Sequence, residues 1–228
     1  MLKFITLVKR KEGMSVQSFQ NYWQDTHAPL VVKQTNVRRY VQNVVLEPAY
    51  RNREPLYDGV AEVWFEDMAA LREFNLTKQY KLIEEDSQKF LDSTKTAGIL
   101  TNEKLIVDQP PPRDAAKMIA FLTKRADISV AGFQDHWRLL HGPIAGAIPG
   151  NQRYVQNHVR PGYYQSGRTP VFDGIAMSWF ADVDALRQSG NSAEYKKTRA
   201  DEANFLSGER IPFLITKEVE ILCENHVR

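Results

Sequence analysis

The chain has 228 residues, a formal net charge of +2 and a single cysteine. With no block of like charge it lacks the electrostatic footprint of a nucleic-acid-binding protein. Cys223, standing alone, excludes an intrachain disulfide and any cysteine-based zinc or iron–sulfur cluster.

Leu2 to Lys9 is apolar on both parities, with Phe4 and Val8 on one side and Ile5 and Leu7 on the other, which predicts a strand buried on two faces. Lys9-Arg10-Lys11-Glu12 then interrupts the run, unlike a secretory leader. No stretch reaches the roughly 18 apolar residues that span a bilayer, so a cytoplasmic protein without a membrane partner is expected. Ser15 is an N-cap, and Val16, Phe19 and Trp23 follow at helical spacing, with Pro29 predicted to end the helix.

Val37 to Val45 reads as a strand, as does Gly59 to Phe65 beyond a turn-rich loop containing Pro48 and Pro55. Asp67 caps a short helix from Met68 to Phe74, a second helix runs from Lys78 to Leu91, and Leu100 to Val107 closes the unit as a strand. The order is β-α-β-β-α-β, the split βαβ or ferredoxin-like arrangement.

The prolines of Asp108-Gln109-Pro110-Pro111-Pro112-Arg113-Asp114 favour an extended spacer. Beyond them the pattern starts again. Met118 to Thr123 repeats the first strand, while Ser129, Val130, Phe133, Trp137, His141 and Pro143 repeat the first helix at an offset of 114. Arg153-Tyr154-Val155-Gln156-Asn157 repeats Arg39 to Asn43, and the match continues at an offset of 115 through Asp58-Gly59 and Asp173-Gly174 to Phe90-Leu91 and Phe205-Leu206. A period this long marks a duplicated domain rather than a solenoid. The expected organisation is a first unit over 1–108, a linker over 109–116 and a second unit over 117–228. A ferredoxin-like sheet has helices on one face, and apolar residues on both parities require the other face to be covered too. The predicted fold class is therefore α+β, two fused ferredoxin-like (βαββαβ) units packed sheet to sheet as an intramolecular dimeric α+β barrel.

The run from Ser15 to Val31 followed by Arg38 to Asn43 and Asp58 to Phe65, and its second copy, resemble the EthD domain, a branch of the dimeric α+β barrel superfamily. The Trp-x-x-x-His-x-Pro and Tyr-x-Gln elements carry the resemblance in both halves. Relatives of this barrel include polyketide cyclases, dehydratases, lactone isomerases and cofactor-free monooxygenases. The resemblance thus implies a small-molecule protein, with a homodimer of the fused pseudo-dimer as a further possibility.

Two roles suit His27 and His141, just past the Trp-bearing helix: capping its last carbonyls, or serving as a general base. Tyr154, Gln156 and His158 form a polar row on one face of a strand, matched by Tyr40, Gln42 and Val44. Hairpin geometry would bring His158 near Asp173, a carboxylate able to orient it. Tyr50 and Tyr57 in one half, and Tyr163, Tyr164 and Phe172 in the other, could roof an aromatic-lined cleft, with Trp23 and Trp137 read as core or substrate contacts. His136 and His141 are five apart, off the spacing of helical metal ligands, and no phosphate-binding glycine loop is present, so neither metal nor cofactor is expected.

The reading is a cofactor-independent enzyme of cyclase, isomerase or dehydratase type acting on a small, apolar, oxygenated or polyketide-like substrate. His141 or His158 is the base, Asp173 orients it, and Tyr154 donates to the developing enolate. A cofactor-free monooxygenase of aromatic compounds and a non-catalytic small-molecule-binding or stress-response protein are the alternatives.

Overall fold

The computed structural model describes residues 1–51, 53–208 and 210–223. They are arranged as an α+β protein of two compact units, one formed by Met1–Leu100 with the chain from Glu218 on, the other by Thr101–Lys217.

In the first unit, β1 (Leu2–Val8) leads to a helical segment in three parts: α1 (Val16–Asn21), a π-helical turn (Tyr22–His27) and α2 (Ala28–Val32). Then come β2 (Val37–Val45), β3 (Gly59–Phe65), α3 (Met68–Leu76), α4 (Lys78–Phe90) and β4 (Ala97–Asp108). The second unit repeats this with β5 (Ala116–Leu122), α5 (Val130–Asp135), a π-helical turn (His136–His141), α6 (Gly142–Gly146), β6 (Arg153–Val159) and α7 (Pro161–Gln165). It ends with β7 (Gly174–Phe180), α8 (Val183–Ser189), α9 (Ala193–Glu202) and β8 (Phe213–Cys223).

Two strands are divided between the units. β4 begins in the first and pairs with β6 of the second from Thr101 on, whereas β8 pairs with β5 through Lys217 and belongs to the first unit from Glu218. The sheet order is β4-β1-β3-β2-β8 in the first unit and β8-β5-β7-β6-β4 in the second.

Local chemistry explains the elements. Ser15 Oγ accepts from Ser18 N at 3.1 Å and Ser129 Oγ from Gly132 N at 3.0 Å, each satisfying an orphan donor of a first turn. Asp67 caps α3 through Ala69 N and Ala70 N, and Thr77 caps α4 through Tyr80 N.

The prolines do not end the helices, contrary to the sequence expectation. Pro29 and Pro143 sit in the first turns of α2 and α6, where a missing N–H costs nothing. The turn before them is wound i→i+5: Ala28 N–H reaches back to Trp23 O.

The Asp-Gly step that opens β3 and β7 has two separate jobs. Asp58 accepts from Arg10 N at 2.9 Å and Tyr50 Oη at 2.9 Å; Asp173 accepts from Lys124 N at 2.9 Å and Tyr164 Oη at 2.7 Å. Both carboxylates tie the end of one strand to the following hairpin. The glycines make room for an indole. A Cβ on Gly59 would lie 2.5 Å from Trp23 Cζ3, and one on Gly174 would collide with Trp137 at the same ring atom.

The opposite sheet face is also buried, but it is not wholly apolar. Lys3 and Glu62, each about 2% exposed at the side chain, form an ion pair, Asn43 Nδ2 donates to Glu62 Oε1 at 2.8 Å, and the Lys3 ammonium stands over Trp64.

Gly59→Ala and Gly174→Ala should each destabilise by about 1–3 kcal/mol through overpacking against the tryptophan. Urea denaturation followed by tryptophan fluorescence checks this; an unchanged midpoint would show that the indoles do not need the gap.

Candidate active site

The π-helical turn delivers two side chains inward. Trp23 and His27 are 1% and 6% exposed. Winding i→i+5 sets these two residues, four positions apart, nearly above one another, so the indole covers the sheet and the imidazole faces α4. There His27 Nδ1 meets Asp86 Oδ2 at 2.9 Å. Asp86 is itself buried and accepts from Tyr22 Oη at 2.7 Å and Lys89 Nζ at 3.2 Å.

Burial works against the charge on Asp86, but the bonds from Tyr22, His27 and Lys89 outweigh it and hold the carboxyl below its usual range. An ionised carboxylate only accepts, so the His27 proton stays on Nδ1 and Nε2 keeps its lone pair. Burial lowers the His27 pKa, and the bond to Asp86 only partly restores it. The imidazole is a neutral base.

His27 lines a cavity of about 330 Å³ between the sheet and the helices of the first unit. Its walls are mainly apolar, including Phe4, Phe65, Phe74, Trp23 and Val31; Tyr40, Asn75, Glu84 and Ser87 add polar groups. Tyr40 reaches it from β2. Gln42 Nε2 donates to Tyr40 Oη at 2.7 Å, and the Trp23 side chain bonds the same hydroxyl. Those neighbours favour phenolate, yet complete burial dominates and lifts the pKa to about 12. With its oxygen already accepting N–H bonds, Tyr40 has a proton to give. The same Gln42 Nε2 donates to Trp23 O at 3.0 Å, tying strand to π turn.

The second unit rebuilds this constellation. His141 Nδ1 meets Asp201 Oδ2 at 2.9 Å, and His136 Nε2 meets Asp201 Oδ1 at 3.0 Å in the place of Tyr22. Burial again lowers the His141 pKa, with the neighbouring His136 adding to the effect and Asp201 opposing it. Trp137 Nε1 and Gln156 Nε2 donate to Tyr154 Oη at 3.0 and 3.2 Å, and burial raises the phenol to about 12. Among the described residues, no three His, Cys, Asp or Glu side chains are grouped to hold a metal ion.

The EthD domain model matches residues 11–94 and again 125–209. The chain belongs to the EthD family. An EthD-family protein from Bacillus halodurans is 26% identical over 46% of this chain and 99% of its own, with a TM-score of 0.38. An anthrone oxidase-like protein is 9% identical with a TM-score of 0.66, over 100% of this chain and 96% of that one. A candidate monooxygenase from Fusobacterium nucleatum is 8% identical with a TM-score of 0.59, over 99% and 94%. These last two likenesses concern the fold. No curated protein matches the chain.

Within this EthD protein the structure brings together His27, Trp23 and Tyr40 in one unit, with Gln42 behind them, and His141, Trp137, Tyr154 and Gln156 in the other. It does not bring Asp173 to His158. Asp173 is taken up by Lys124 N and Tyr164, while His158 Nε2 bonds Gln156 Oε1 at 2.9 Å beneath the Trp137 ring. With burial first and the charges of Lys104 and Arg138 next, the His158 pKa falls to about 4. His158 is a neutral donor to Gln156. Val44 stands in its place in the first unit, where Gln42 Oε1 is buried without a partner.

The aromatic roof takes a different form as well. Phe172 stacks on Phe121, Tyr163 packs under Arg168, and Tyr57 is buried but is not among the residues lining the first unit's cavity. Asp86, Asp201, Tyr22 and His136 lie outside the site residues expected from the sequence. The signal was there: Asp86 and Asp201 sit at the offset of 115 that also relates Phe90 to Phe205.

The folded-state pKa of His158, about 4, lies below the ordinary histidine value of about 6.5. The unfolded chain therefore binds the proton first, and stability present above about 6.5 is lost as pH falls towards 4. His158→Val should cost about 1–3 kcal/mol near neutrality by orphaning Gln156 Oε1, but should flatten that acid loss. Urea midpoints near pH 7 and near pH 5 test it; equal acid sensitivity in variant and parent would exclude His158 as the titrating group.

Proposed function

We propose that this EthD protein is a small-molecule enzyme that works by acid–base chemistry without a cofactor, on an apolar oxygenated substrate of polyketide-like character. The observation that carries this is a carboxylate-held neutral histidine, His27 with Asp86, in the wall of an apolar cavity that Tyr40 also lines. A cavity of about 330 Å³ is within the size range of small-molecule sites.

The reaction that suits these groups begins with removal of a proton next to a carbonyl. His27 Nε2 accepts the proton, Asp86 stabilises the imidazolium that forms, and Tyr40 donates its hydrogen bond to the enolate oxygen. Trp23 and Gln42 keep Tyr40 pointed at that task. The enolate then partitions to isomerisation, cyclisation or loss of a leaving group according to the substrate. His141, Asp201 and Tyr154 carry the same roles in the second unit.

A second reading is supported by the fold shared with the anthrone oxidase-like protein and the candidate monooxygenase. The same base would activate an electron-rich aromatic substrate for reaction with oxygen. Oxygen consumption without added flavin or metal distinguishes the two.

Exchange of the α-protons of an enolisable aryl ketone into D2O, read by NMR, reports the first step directly. His27→Ala combined with His141→Ala should slow it by about 10²–10⁴-fold with the circular dichroism spectrum unchanged; exchange at the parent rate would remove both histidines from the mechanism. Because burial holds the His27 pKa below its usual range, exchange should be flat at neutrality and fall only as pH drops through that lowered value. Asp86→Asn removes the group that raises the pKa, so the falling limb should move to still lower pH while the plateau rate drops.

A further inference from the structure

The first unit's cavity changes character from its depth to its mouth. Trp23, Tyr40 and Phe65 line it and are buried, whereas Asn75 in the last turn of α3 and Glu84 on α4 line it and are exposed. The cavity therefore opens to solvent beside Asn75 and Glu84. Along α4 the protons at that end are already committed. Ser87 Oγ donates to Ile83 O at 2.8 Å, and the Tyr80 hydroxyl is bonded to Glu84 one turn further on. Burial, with Glu84 adding to it, lifts the Tyr80 phenol to about 12, so Tyr80 is the donor of that pair. A carboxylate only accepts. Tyr80, Glu84 and Ser87, on one face of α4, thus present the cavity with a row of acceptors. The depth is the reverse, since Tyr40 has a proton to give. Charge is equally one-sided. Among the described residues that line the cavity there is no lysine or arginine, burial keeps His27 neutral, and Glu84 is the single carboxylate. An anionic group placed there would lose water without gaining a countercharge.

Resting on the acid–base reading above, we infer that Glu84 is a specificity-determining residue of the first unit. It selects an uncharged ketone that carries a hydroxyl at the end remote from the reacting carbon, and it turns away carboxylates and other anionic acyl compounds. The ketone oxygen goes inward to Tyr40, the neighbouring carbon lies against His27, and the remote hydroxyl donates to Glu84, with Ser87 and Tyr80 as further acceptors. Donor in the depth and acceptors at the mouth also fix the direction of entry, carbonyl end first. Glu84 governs which molecule binds and does not touch the carbon that loses its proton.

The test is equilibrium binding by calorimetry near neutrality, with the full chain and two tetralones that carry either a hydroxymethyl group or a carboxylate para to the carbonyl. The two probes match in length and differ in charge. The parent should bind the hydroxymethyl ketone about 10-fold more tightly than the carboxylate. Glu84→Lys should invert that preference. Glu84→Gln, which keeps an acceptor and loses the charge, should narrow it chiefly by admitting the carboxylate. A residue that merely pairs with Tyr80 to hold α4 would, when replaced, weaken both ketones alike and leave their ratio fixed. An unchanged ratio in Glu84→Lys therefore overturns the proposal, as does a parent chain that binds neither ketone. Deuterium uptake at the α-carbon of the hydroxymethyl ketone is read alongside. Discrimination without uptake would sink the acid–base reading and leave the selectivity of Glu84 standing; uptake without discrimination would sink the role of Glu84 and leave that of His27.

Discussion

The helix turn that carries tryptophan and histidine is wound one residue too wide, and the site depends on that irregularity. An i→i+5 turn is a poor helix by itself and persists only where its surroundings satisfy the groups it displaces. Here a glutamine from the neighbouring strand reaches the tryptophan carbonyl, Gln42 to Trp23 O at 3.0 Å and Gln156 to Trp137 O at 2.7 Å. The wide turn lets Trp and His, four residues apart, both point inward. It also hands the chain to Pro29 or Pro143 at the start of a new helix, where proline is well placed.

From that geometry the electrostatics follow. A buried imidazole resists protonation, and a buried carboxylate resists ionisation, so neither would be functional alone. Placed together they correct each other only in part. Asp86 is kept ionised by three donors, not by His27 alone, which leaves the histidine neutral and basic rather than locked as an imidazolium. The second unit reaches the same balance with His136 and Asn204 in place of Tyr22 and Lys89. A tyrosine and a histidine are interchangeable there because each needs only to donate one hydrogen bond to the carboxylate.

Much of the fold was legible in the chain. The N-caps Ser15 and Asp67 and the strands Val37–Val45 and Gly59–Phe65 are set by local chemistry, and the duplication marked out each twice. The π turns were not legible, since a wide turn keeps the apolar spacing of an ordinary helix and differs only in where its hydrogen bonds go. Pro29 therefore reads as a terminus when it is a beginning. The partner of His158 was misread for a related reason. Antiparallel pairing does set His158 opposite Gly174, beside Asp173. Direction along the pleat, however, sends the aspartate to Lys124 N and Tyr164 and leaves the histidine to the glutamine two residues back. The carboxylates that hold the histidines lie some 60 residues away along the chain, with His27 and Asp86 separated by 59. No local spacing reveals such a pair; only the repeat does.

Divergence between the copies therefore has to be sorted by what each changed residue touches. His158 against Val44 is the most conspicuous difference on the polar row, but it alters only whether an interior amide oxygen has a donor: Gln156 Oε1 has one and Gln42 Oε1 has none. The tyrosine hydroxyls and their N–H donors are the same on both sides of that difference. Exchanging Ser87 for Glu202 is quieter in the sequence, one polar residue for another on a solvated-looking helix, yet it adds a largely buried carboxyl that pairs with Arg199. An imidazole that burial holds neutral down to about pH 4 does not exchange protons near neutrality, so the change from Val44 to His158 is one of packing and hydrogen bonding rather than of titration.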